Sequence, residues 1–271
     1  MLTQNLHTHT TFDDGAASPM EMAQAALDAG LSSLGFSAHA TMPYENDWCL
    51  TDDRLPAYLA EIARVKEAFR GRLAVYNGLE LDGISAQDTA DFDYVIGSLH
   101  HIDLGGGDTP SIDYTAPITR DALAQYFRGN VKAMTEVYFA QYEALVNDPR
   151  IDIVGHFDLI AKFSESNGLF DAHDPFFLDC AIQAMEPLVA AGKIFEVNTG
   201  ATARGLRSEP YPSIPLLHRL HEIGGKVTVT SDAHSVEVIA HAFADTEALL
   251  KTIGFREVWI FDGNGFVPIK L

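Results

Sequence analysis

Short apolar runs alternate along the chain with stretches whose apolar residues recur every three or four positions. The runs at 34–39, 73–80, 92–100, 151–156, 193–198 and 226–231 read as strands, and a first strand ends at His9. Continuous apolar runs of this length, bounded by turn residues, suit strands covered on both faces. Helices fall between them. Ser18-Pro19-Met20-Glu21 supplies an N-cap, a proline at the first helical position and an acid two residues on, so a helix starts there and stops at Gly30. Further helical stretches lie at 55–69, at 120–147 with an interruption at Gly129, at 174–191 behind an Asp174-Pro175 cap, and at 213–223 before Gly224-Gly225. Helical stretches at 236–242 and 246–253 precede a last strand, 257–261. The segment 102–117, rich in Gly, Asp and Pro, reads as an exposed loop.

Strands separated by helices or long loops argue for parallel βα units closed into a barrel. An open doubly wound sheet is the alternative, but no Gly-rich phosphate loop follows the first strand. With no linker, repeat or low-complexity segment, residues 1–271 read as a single domain.

Composition narrows the partners. Of the 271 residues, 47% are hydrophobic, enough for a sizeable core. Eighteen basic against 38 acidic residues give a net charge of −20. Such a surface repels phosphate backbones and anionic membranes, so neither nucleic acid nor membrane is expected as a partner. No apolar run approaches the ~20 residues of a bilayer span, and the start of the chain has no secretory pattern. Cys49 and Cys180 are isolated thiols, as suits a reducing cytoplasm. The sequence does not indicate an oligomeric state.

The chemistry-bearing residues sit where those strands end. His7 and His9 stand at i and i+2, which on a strand project to one face, and Asp232 and His234 repeat the spacing. His39, Glu80, His100 and His156 close four more strands, and Asp14-Gly15 lies on the first loop. The C-terminal ends of barrel strands are where such folds build their sites. A single strand-end histidine can simply satisfy a carbonyl, but a set of this size converges on a metal site with N and O ligands. His101 has the parity opposite to His100 and is expected to point away from the centre. His218 and His221, at helical spacing, read as surface residues, and His173 and His241 as structural or solvent-facing.

Together, His7-x-His9, Asp14-Gly15, Ser37-Ala-His39, Gly78-Leu-Glu80, Gly97-Ser-Leu-His100, Gly155-His156 and Ser231-Asp-Ala-His234 resemble the PHP (polymerase and histidinol phosphatase) superfamily. Glu196-Val-Asn-Thr199 and Glu209-Pro-Tyr-Pro-Ser213 extend the resemblance to its histidinol-phosphatase branch. The resemblance implies a distorted (β/α)7 TIM-like barrel holding two to three divalent ions (Zn, Mn or Fe). The ligands it implies are His7, His9, Asp14, His39, Glu80, His100, His156, Asp232 and His234, with Glu80 bridging.

The implied activity is phosphomonoester hydrolysis of L-histidinol phosphate in histidine biosynthesis, through a hydroxide bridging the metals. Asp232 or His234 would protonate the leaving oxygen. The metals would keep the site electropositive inside an acidic surface, and an acidic rim suits a substrate carrying amine and imidazole. Lys162 stands where some members carry Arg, and Gly200 follows Asn198-Thr199 where some have Arg. Arg204 and Arg207, a few residues on, are therefore candidates with Lys162 for holding phosphate. Other readings are a PHP hydrolase of another small phosphoester (nucleotide or phosphodiester), a non-catalytic metal-binding scaffold, and an amidohydrolase barrel. Against the last, the carboxylated lysine usual in such barrels is absent here, and Glu80 stands at that kind of bridging position.

Overall fold

In the computed structural model, which describes residues 2–44 and 46–271, β1 (Gln4–Asn5), β2 (Ser33–His39), β3 (Ala74–Asp82), β4 (Tyr94–Ser98), β5 (Ile153–Val154), β6 (Ile194–Asn198) and β7 (Lys226–Thr230) form one parallel sheet in that order. Every residue of β2, β4 and β6 is buried, as the uninterrupted apolar runs require. The edges meet beyond the ends of β1 and β7 at a parallel bridge between Thr8 and Ala233. There His9 N donates to Ala233 O at 2.9 Å and Ala233 N to His7 O at 3.2 Å. The sheet is therefore a nearly closed barrel, the distorted (β/α)7 form expected.

The N-terminal end of the barrel is filled with apolar side chains. Tyr94 reaches across it past Gly35 and Gly78, where an added Cβ would lie 2.0 and 2.2 Å from the tyrosine side chain. Its hydroxyl donates to the Leu6 carbonyl. Leu6, Ile96, Ile153, Ile194 and Phe261 complete this plug. Polar ligand-type residues are thereby left to the opposite end.

The last strand departs from the expected order. β8 (Glu257–Phe261) pairs antiparallel with β9 (Phe266–Lys270), a strand absent from the sequence reading, and the pair is a separate sheet. The hairpin closes the barrel floor: Gln4 Nε2 donates to Phe261 O and Phe261 N to Gln4 Oε1, both at 2.8 Å.

The helices follow their caps. Ser18 and Glu21 form the expected capping box before helix Pro19–Asp28, and Asp174 Oδ1 accepts from Phe176 N at the start of helix Pro175–Ala190. The stretch at 120–147 is three helices, Ala116–Phe127, Val131–Ala140 and Glu143–Val146. Arg128 and Gly129, both left-handed, make the first break. Residues 236–242 hold only a 3-10 turn, Val236–Val238, and the next helix starts earlier than expected, at Phe243.

The 102–117 segment is not simply exposed. Ile102 and Ile112 are fully buried and His101 pairs with Ser111 in an antiparallel bridge, while the tip at 103–108 and residues 114, 115 and 117 are open. Two isoleucines anchor it against the barrel mouth. Among the described residues no helix is long and apolar enough to cross a membrane.

Candidate metal centre

The Thr8–Ala233 bridge gives the two i, i+2 pairs their geometry. His7 and His9 flank one partner, Asp232 and His234 the other. The first pair shares one face as expected, its rings 5.1 Å apart, although β1 itself ends at Asn5 and the strand logic holds only through the Thr8 bridge. It fails for the second. β7 has ended at Thr230, and Asp232 takes a left-handed φ of 47°, so a turn brings its carboxylate inward.

Three of the imidazoles are oriented by carboxylates. His7 Nδ1 is bonded to Glu196 Oε1 at 2.5 Å, His9 Nδ1 to Asp13 Oδ2 at 2.6 Å, and His100 Nδ1 to Asp82 Oδ2 at 3.0 Å. Each bond orients the ring so that Nε2 faces the centre, the arrangement found behind metal-binding histidines. Gly15 permits the turn that carries Asp13 and Asp14. A Cβ there would lie 2.4 Å from the His9 backbone.

Glu80 is the hub. Its Oε1 lies 2.8 Å from His156 Nε2 and 3.3 Å from His100 Nε2. Its Oε2 lies 2.9 Å from His39 Nδ1, 3.2 Å from His7 Nε2 and 3.6 Å from His9 Nε2. Donor atoms fall into three groups within 4.8 Å: His7, His9 and Asp232; His39, Glu80 and His100; His9, Asp14, His39 and His234. His7 Nε2, His9 Nε2 and Glu80 Oε2 are buried and make no hydrogen bond among the described residues. Buried ring nitrogens and a carboxylate oxygen that converge without hydrogen-bond partners are costly unless protons or a metal cation sit between them. The residues therefore fit divalent metals with N and O ligands, and no thiolate takes part.

The charges agree. Burial opposes a charged His9 imidazole, yet Asp13 beside it raises its pKa to about 10. His7 and His100 are likewise raised against burial, first by Glu196 and by Glu80 respectively. Burial also opposes the carboxylates, but His7 holds Glu80, and Arg204 holds Asp232, well below the ordinary range. Without metal, protons neutralise this cluster, and a metal must displace them to bind.

A cavity of about 630 Å³ opens above the centre. Trp48, from the loop after β2, meets the His39 ring edge-on at 5.1 Å and lies nearly parallel to His101. His101 does not point away, because β4 ends at Ser98 and strand parity stops there. It lines the cavity, 3.4 Å from Asp82 Oδ2 and 2.8 Å from the Tyr44 hydroxyl. Lys162 also lines the cavity, its Nζ 3.1 Å from Asp113 Oδ2. Burial would raise Asp113, but Lys162 and then His100 hold its carboxyl below the ordinary value. Arg204 also lines the cavity, its Nη2 3.1 Å from Asp232 Oδ2. Arg207 does not. It forms buried ion pairs with Asp158 at 3.3 Å and Glu209 at 3.1 Å and stacks on Tyr211, so it is removed from the phosphate-binding candidates.

Residues 5–200 match the PHP domain. The chain belongs to the PHP family. It is 33% identical over 263 residues to the protein named probable histidinol-phosphatase in Deinococcus radiodurans, spanning 93% of this chain and 94% of that protein. It is 25% identical over 275 residues to the histidinol-phosphatase of Lactococcus lactis subsp. lactis, spanning 95% and 93%. The fold matches the crystal structure of histidinol phosphate phosphatase from Lactococcus lactis subsp. lactis, complexed with Zn, L-histidinol and phosphate. That match has a TM-score of 0.77 at 22% identity and covers 98% of this chain and all of that one.

Within this PHP site the sequence reading missed the supporting carboxylates. Asp82 was accessible, since it stands at i+2 from Glu80 on β3 and shares its face. Glu196 was accessible too, as a charge in the middle of the apolar strand Ile194–Asn198. Asp13 carried no signal to separate it from Asp14.

Proposed function

We propose that this chain is a metal-dependent phosphomonoesterase that hydrolyses L-histidinol phosphate to L-histidinol and phosphate. The observation that carries the reading is the ring of donors around Glu80, with buried lone pairs aimed at common points beneath a cavity that also presents Lys162 and Arg204. The named relatives supply the substrate. His7, His9, Asp14, His39, Glu80, His100, His156, Asp232 and His234 would hold two to three divalent ions, Zn, Mn or Fe, with Glu80 shared between them. Such ions supply an ionised water at neutral pH and neutralise the phosphoryl oxygens.

The side chains do the rest. Lys162 and Arg204 orient the phosphate oxygens and add positive charge where the transition state spreads negative charge. Asp232, deep in the site, takes the proton of the attacking water. Asp232 then returns that proton to the departing alcohol oxygen, on the open side of the site where His234 is 26% exposed. No covalent intermediate is needed. A role in histidine biosynthesis, and with it a cytoplasmic location, follows from the same reading.

A full donor set argues against a non-catalytic scaffold. The deciding experiment is phosphate release from a panel of phosphomonoesters and phosphodiesters by metal-analysed protein. L-histidinol phosphate is expected to be the best substrate, with activity lost in His7→Ala and Asp232→Asn. Preference for a nucleotide or a diester contradicts the assignment.

A further inference from the structure

We infer that Asp113 is a specificity-determining residue of this site: it receives an ammonium group of the substrate when the phosphate draws Lys162 away from it. The inference rests on the phosphatase reading and names the class of ester accepted, a small phosphomonoester with a protonated amine close to the phosphate.

Asp113 comes from the segment after β4 that Ile102 and Ile112 anchor at the barrel mouth. Its side chain faces the cavity and is 17% exposed. The other acids lining that cavity have different duties or positions. Asp14, Glu80 and Asp232 belong to the donor groups, and Asp47 is exposed on the loop after β2. Asp113 stands outside all three donor groups, and its carboxylate pairs with Lys162 Nζ at 3.1 Å. Ser111 Oγ, 3.4 Å from Asp113 Oδ1, steadies it.

That pair is a stand-in for a zwitterionic substrate. A phosphate dianion seated over the metals outcompetes a single carboxylate for the lysine ammonium. Asp113, whose ion pair with Lys162 is the one it makes within 4 Å among the described residues, is then a largely buried carboxylate without a direct cationic partner, and breaking such a pair costs more than forming it gains. A substrate carrying its own ammonium restores the balance. One without it leaves Asp113 unpaired, and sites built around a buried polar partner reject the analogue that lacks it.

The test compares kcat/KM for L-histidinol phosphate with that for the same ester lacking its amine, 3-(imidazol-4-yl)propyl phosphate. O-phosphoethanolamine against ethyl phosphate forms a second pair without the ring. Wild-type protein is expected to prefer the amine in both pairs. Asp113→Asn should lower kcat/KM for the amine-bearing esters about 10- to 100-fold, the range for a hydrogen bond to a charged group, and leave the others unchanged or improved. Lys162→Met should slow both members of each pair alike. Equal loss on both members in Asp113→Asn, or no amine preference in the wild type, overturns the inference. The wild-type comparison decides alone if the variant does not fold. Protein that neglects histidinol phosphate yet shows an Asp113-dependent preference for phosphoethanolamine contradicts the substrate assignment and supports the role of Asp113.

Discussion

Glu196 Oε1 lies 2.5 Å from His7 Nδ1, and the other oxygen of the same carboxylate receives the His156 backbone N–H at 2.7 Å. Thr230 Oγ1 donates to Oε1 as well. One side chain from β6 therefore sets the positions of imidazoles that approach Glu80 from two sides. Glu196→Gln keeps the shape but replaces one acceptor oxygen with an NH2 group, so either the His7 or the His156 contact is lost. Metal affinity is expected to fall about 10- to 100-fold, as for other carboxylates behind ligating histidines. Equilibrium metal titration of the chelated variant measures it, and unchanged affinity would remove Glu196 from the account.

Arg207 and Lys162 should separate cleanly. Arg207→Met leaves Asp158 buried without its cation, which is expected to destabilise the fold by about 3 kcal/mol. Burial already raises the Asp158 carboxyl despite Arg207. Without the arginine the carboxyl takes up a proton on folding, so the loss should deepen as pH rises through its folded pKa. The Michaelis parameters of the folded variant are expected to stay near those of the wild type. Denaturant unfolding at several pH values, beside steady-state kinetics, checks both halves.

The metal-free centre predicts a pH dependence of its own. His9 is raised from an ordinary 6.5 to about 10, so its contribution to stability is fully present below about 6.5 and is lost as pH rises towards 10. Glu80 and Asp232 are lowered, so theirs is present above their unfolded values near 4 and is lost in acid. Chelated protein should therefore melt highest between roughly pH 4.5 and 6.5. Metal addition at pH 7.5 should release protons, because His9 must give one up to become a ligand. Melting curves across pH and proton release in weak buffer test this. A chelated protein that grows more stable from pH 6.5 to 10 contradicts it.

Much of this centre could be read before the fold was seen, for physical reasons. His7 and His9 are legible because period-2 geometry near a strand end leaves few alternatives, and His39 and Glu80 because they end buried apolar runs at neighbouring registers. Asp232 and His234 converge through a left-handed turn, which the i, i+2 spacing does not encode. Ile102 and Ile112 were hidden among Gly, Asp and Pro, so a cavity wall looked like an exposed loop. β9 was hidden because Pro268 sits inside it, a residue that demotes a strand and here marks a two-stranded edge. Arg207 resembled its neighbour Arg204 in sequence. Only the fold shows that Asp158, two residues after His156, claims it.

The most direct test is the rate of phosphate release from L-histidinol phosphate as Zn²⁺ or Mn²⁺ is returned stepwise to fully chelated protein. The account predicts no turnover without metal and a rise to full rate as two to three ions bind per chain. Full activity in the chelated protein, or none on this ester at saturating metal, would contradict it.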